Sequence, residues 1–180
     1  MPMTLTRSLL TILIPGLVAI APWLLAAALY SPVKFGLPDH PTLGNALIFA
    51  IVAVIGTLCE GLGTVLESRW DKKLPDLAVQ ENWITYLAHR FEKEPVGFRY
   101  ISRLVTSLYF ELSMLFAVPT FFLGSLVLSW FRFPDHRPLA VFLTLLLIAS
   151  SIFYLRWQAR NTHILLCETR RDLNARWKAS

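Results

Sequence analysis

Residues 9–30 read LLTILIPGLVAIAPWLLAAALY, a run without a single charged side chain. At about 1.5 Å per helical residue, its length matches a bilayer core of about 30 Å. Pro15 and Pro22 should kink such a helix, which membrane helices tolerate when neighbouring groups re-satisfy the freed carbonyls. The run exceeds the roughly 7–15 apolar residues of a signal peptide, and Arg7 alone precedes it as a basic residue. It therefore reads as a retained helix.

Three further runs of the same kind follow. Residues 45–66 form the second, 104–131 (LVTSLYFELSMLFAVPTFFLGSLVLSWF) the third and 138–155 (PLAVFLTLLLIASSIFYL) the fourth. Of the 180 residues, 55% are hydrophobic and 16% charged, against roughly 25% charged in an ordinary soluble domain. Too little polar surface remains to coat a globule. The expectation is an all-α, polytopic membrane protein: a single four-transmembrane-helix bundle over 1–180.

Orientation follows from lysine and arginine. The segment before the first span, the stretch 67–103 and the tail 156–180 hold 14 of the 17 basic residues. An even number of spans puts these three on one side, so both termini are expected in the cytoplasm of a bacterial inner membrane. Cys59 and Cys167 lie in unlike surroundings and read as free thiols of a reducing compartment.

Within the 67–103 loop, Pro75-Asp76 looks like a helix start. Trp83, Leu87 and Phe91 then recur at four-residue steps as the apolar stripe of a short amphipathic helix. After Arg156 no proline or glycine interrupts the chain, so the fourth span should continue as a helical tail. Arg160, Arg170 and Arg171 make that tail basic. The loop and the tail are the surfaces expected to meet a cytoplasmic protein partner. Nucleic acid is not expected, because lipid headgroups are the nearer anion for these arginines.

Glu60 lies about two turns inside the second span and Glu111 eight residues into the third, at similar depth. Ionisable groups in spans face the bundle interior and pair, and Arg156 is the candidate counter-ion for this polar cluster. Gly56 and Gly63 share a helix face with Glu60 and should let another backbone approach closely. No Glu-x-x-His, His-Glu-x-x-His, phosphate loop or nucleophile elbow occurs in the sequence. His163 and Cys167, four apart, offer two metal ligands where structural zinc takes four. No metal, cofactor or catalytic residue is assigned on these grounds. The functional expectation is a non-enzymatic protein acting by self-assembly and partner binding, as a channel-like or sensor subunit of a stress or defence system by analogy. The alternative is a small transporter or intramembrane enzyme using Glu60, Glu111 and Arg156.

Overall fold

The computed structural model describes residues 9–30, 41–74, 78–88 and 96–179. These residues are almost wholly helical, with no strand among them. A π-helical turn at Leu9–Leu13 leads into α1 (Ile14–Tyr30). Then come α2 (Pro41–Asp71), the short α3 (Val79–Ala88), α4 (Val96–Arg132) and α5 (Arg137–Ala179). Pro134–His136 form a 3₁₀ turn between the last two. Four of these helices are long and apolar enough to cross a membrane. Phe91 and Pro75-Asp76 lie outside the described residues, as does the side chain of Leu87.

The helices outrun the apolar stretches that create them. At about 1.5 Å per residue the 43 residues of α5 extend about 65 Å, twice a bilayer core. Pro15 explains the π-helical turn just before it. A proline ring collides with the carbonyl four residues earlier, and widening the preceding turn relieves the collision. Pro22 sits inside α1 and Pro119 inside α4.

α4 is the central pole. Leu108, Leu112, Ser113 and Ala117 on it are fully buried. At one end of the bundle, Leu108 and Leu112 pack with Trp70 of α2, Tyr86 of α3, and Ala159 and Leu166 of α5. This basic end carries Arg69 of α2, Lys72 and Lys73 just after it, and Arg160 and Arg170 of α5. Farther up, Ala117 packs with Ala19 of α1 and Cys59 of α2. The opposite end is closed by Tyr30 against Phe131, ring centroids 4.9 Å apart, and by Arg137 over the Trp130 ring.

α5 is peripheral along its apolar half. Its most apolar window is 6% buried, against 22–28% in the other three helices. Leu139, Phe142, Leu145 and Phe153 all point outward, an apolar surface far beyond what water tolerates on a monomer.

Two glycines set the α1–α2 crossing. A Cβ on Gly16 would strike the Val52 backbone carbonyl, and one on Gly56 would strike that of Ile12. Gly63 lies against Leu112 of α4, where an added Cβ would come within 2.8 Å of the leucine Cβ. Gly124 makes room for Trp23, whose indole N–H donates to the Thr120 carbonyl at 3.1 Å. Gly61 faces open space. The same change at two sites should therefore differ in sign: Gly56→Ala should destabilise by about 1–3 kcal/mol through overpacking, while Gly61→Ala leaves stability equal or higher. Thermal unfolding of both variants in nanodiscs checks this.

Candidate functional site

The tail of α5 carries a buried polar stripe. His163, Cys167, Arg170 and Asn174 recur at steps of four, three and four, the spacing of one helix face, and all four are buried. Opposite them stands the last turn of α2, where Glu67 and Asp71 are also four apart. Leu166, buried on the same side of α5, packs into the core beside this stripe.

Asp71 and His163 form the central contact. The carboxylate Oδ1 lies 2.7 Å from the ring Nε2, with Asp71 about two-fifths exposed at its side chain and His163 almost wholly enclosed. The Cys167 sulfur lies 3.9 Å from that same nitrogen. Eight residues of helix separate His163 from the end of the apolar stretch at Leu155, placing the ring about 12 Å beyond it. Burial opposes a charge on this ring. Hydrogen bonding with Asp71 and Cys167 outweighs that penalty, and the imidazole is held up at about 9 instead of 6.5. Its Nδ1 has no hydrogen-bond partner among the described residues.

A cavity of about 700 Å³ opens beside this contact. Its walls come from four helices: Glu67 and Asp71 of α2, Trp83 and Tyr86 of α3, Tyr109 of α4 and Arg170 of α5. The Tyr109 hydroxyl donates to the Glu67 carboxylate. Arg170 lays its guanidinium over the Trp83 ring, 4.3 Å from the centroid, a cation–π contact sheltered from water. Burial lowers the Arg170 pKa, and the negative charges of Glu67 and Asp71 oppose that effect. Its Nε finds no partner among the described residues. Trp83 and Tyr86 stack at 5.8 Å. Asn174 fastens α3 to the tail, its amide donating to the Asn82 carbonyl at 2.8 Å and to the Asn82 side-chain oxygen at 3.1 Å.

Glu111 is buried inside the bundle, and its Oε1 accepts from Ser107 at 3.1 Å and from Gln158 at 2.9 Å. Its α5 partner is Gln158, and Arg156 is exposed. Two residues along a helix are about 200° apart, so the face that turns Gln158 inward turns Arg156 and Arg160 outward. The second oxygen of Glu111 is unpartnered among the described residues. Glu60 is half-buried, and its carbonyl accepts the Thr64 hydroxyl. Arg171 is exposed and lies 3.6 Å from the equally exposed Asp172, a pair worth little in water. Trp83 sits on the cavity rim, while Tyr86 of the same helix is the residue driven into the core. Asp71, Tyr86 and Asn174 were not among the residues expected at a site. The four-three-four recurrence from His163 to Asn174 was the available signal.

Cysteine, histidine and aspartate together invite comparison with a nucleophilic triad. Such a triad uses opposite ring nitrogens, one for the nucleophile and one for the carboxylate. Here Asp71 and Cys167 face the same nitrogen, so the relay is not wired. Three unlike donor atoms instead converge on one point, all within 4.8 Å of one another. No protein family model, curated protein or solved structure matches the chain.

Asn174→Ala should release α3 without disturbing the rest. Loss of its paired hydrogen bonds should raise amide hydrogen exchange across Val79–Ala88 by roughly tenfold, the equivalent of about 1.4 kcal/mol, and leave exchange in α1 unchanged.

Proposed function

We propose that the protein is a non-enzymatic, four-span subunit of a bacterial inner membrane. In this reading its cavity takes up a small charged ligand from the cytoplasm and its α5 tail relays occupancy to a partner. The observation that carries the proposal is the cavity itself. It lies at the junction of α2, α3, α4 and α5 and is lined by both carboxylates and a buried arginine. A ligand there would meet four helices at once.

Membrane insertion is supported by the four apolar helices and by the uncovered leucines and phenylalanines of α5. The clustering of 14 of 17 basic residues in alternate segments supports cytoplasmic termini and a cytoplasmic cavity. The bare apolar half of α5 is open to lipid or to a second copy of the chain. An impermeant maleimide applied to intact cells should label Asp135→Cys and spare Arg176→Cys; the reverse pattern would invert the protein and put the cavity outside.

A second reading is favoured by one observation, the unpartnered Glu111 oxygen beside Gln158. It makes Glu111 a proton or cation site of a small transporter. One experiment separates the two. A protein-free, low-mass cytosolic extract should raise the thermal midpoint of the wild type in nanodiscs and of Glu111→Gln, and should fail with Asp71→Asn. An extract without effect on the wild type sinks the receptor reading. An effect lost only in Glu111→Gln moves the function into the bundle interior.

A further inference from the structure

The donor atoms behind the cavity wall carry an inference about what it recognises. Asp71 supplies an oxygen, His163 a nitrogen and Cys167 a sulfur, and these three atoms lie within 4.8 Å of one another. They come from two rigid helices, with His163 and Cys167 one turn apart on α5 and Asp71 at the end of α2. We propose that Asp71, His163 and Cys167 form the binding site of one divalent transition-metal ion of the zinc class. The proposal rests on the reading of the adjacent cavity as a recognition site, and names its ligand.

Mixed donors argue for this class. Oxygen-only shells suit magnesium and calcium, and sulfur-rich shells suit copper(I), whereas a nitrogen–oxygen–sulfur set suits zinc and its tetrahedral relatives. For the two pairs that share the ring nitrogen the geometry needs little adjustment. Tetrahedral zinc bonds imply about 3.3 Å between nitrogen and oxygen ligands and about 3.6 Å between nitrogen and sulfur. The present separations are 2.7 and 3.9 Å. Asp71 must retreat by about 0.6 Å and Cys167 approach by about 0.3 Å to meet those values. Asp71 is the half-exposed member and has the space to move. It also lines the cavity, whereas His163 and Cys167 do not, so Asp71 is the donor through which the cluster meets the cavity.

Binding a divalent ion requires a Cys167 thiolate and a ring nitrogen of His163 free of its proton, so protons leave as the ion enters.

Cobalt(II) is the probe, because a thiolate bound to it absorbs by charge transfer and a tetrahedral shell intensifies its visible bands. Full-length protein in nanodiscs, stripped by a chelator, should take up one Co²⁺ per chain with both signatures, and Zn²⁺ should bleach them. Cys167→Ser should abolish the charge-transfer band. His163→Gln and Asp71→Asn should weaken binding at least about 100-fold, the upper end of what losing even an outer-shell partner produces. Glu168→Gln, an exposed neighbour on the same helix, should behave as wild type. Should the variants fail to fold, X-ray absorption of the zinc-loaded wild type still decides, through a sulfur neighbour at about 2.3 Å. A wild type that takes no metal, or a bound metal without sulfur, overturns the site. The receptor reading fails separately: a chelated extract that still stabilises the wild type rejects the metal as the ligand and keeps the receptor.

Discussion

The bundle depends on how its outermost helix is held. The apolar half of α5 is nearly bare, and lipid is as good a neighbour for leucine as another helix is. In the proposed membrane setting, hydrophobic burial therefore does little to fix α5. Its position rests on polar ties lower down: Gln158 to Glu111, His163 to Asp71, and Asn174 to the Asn82 carbonyl. Each joins α5 to a different helix, and together they set its rotation. Once that rotation is set, Leu166 and Ala159 fall into the core and Arg156, Arg160 and Arg171 fall outside it.

The same ties explain why the basic end is packed like a soluble protein while the upper half is packed by small residues. Above, Gly16 and Gly56 bring α1 and α2 into backbone contact, and hydroxyls such as Ser113 and Thr120 satisfy themselves on carbonyls one turn back. A polar contact between helices there is the Trp23 indole donating to the Thr120 carbonyl. Below, Trp70, Tyr86, Leu108 and Leu166 fill a conventional core, and polar ties cross between helices, although His163 Nδ1 and Arg170 Nε are buried without a partner among the described residues. A cavity lined by Glu67, Asp71 and Arg170 lies among these ties.

Four apolar runs and the continuous helical tail were legible because length and hydropathy leave few other solutions. Pro15 was expected to disturb the first helix, and a π-helical turn stands directly before it. The polar site was harder to read. Depth along the spans pointed to Glu60, Glu111 and Arg156, but depth says nothing about rotation, and 200° of rotation separates Arg156 from Gln158. The tail was read through its charge, as a basic surface, and Arg170 is instead buried over Trp83. Helix-face periodicity in a segment outside the apolar runs carries the same information as it does in a core, and here it marked His163, Cys167, Arg170 and Asn174. That Asp71 meets His163 could not be read from one sequence, since they are 92 residues apart and joined by no motif.

The geometry at His163 also discriminates between chemistries that composition leaves equal. A nucleophilic relay and a metal centre can both be built from Asp, His and Cys. The relay needs the imidazole as a bridge, with a different nitrogen toward each partner, so that a proton can pass through the ring. A metal needs all three donors to aim at one volume, with the ring as an end-on ligand. Asp71 and Cys167 meet one nitrogen from two sides, and the other nitrogen lies buried without a partner among the described residues. A ring in that position cannot bridge. It can only terminate, and what it terminates on is a point shared with an oxygen, a sulfur and the edge of a charged cavity.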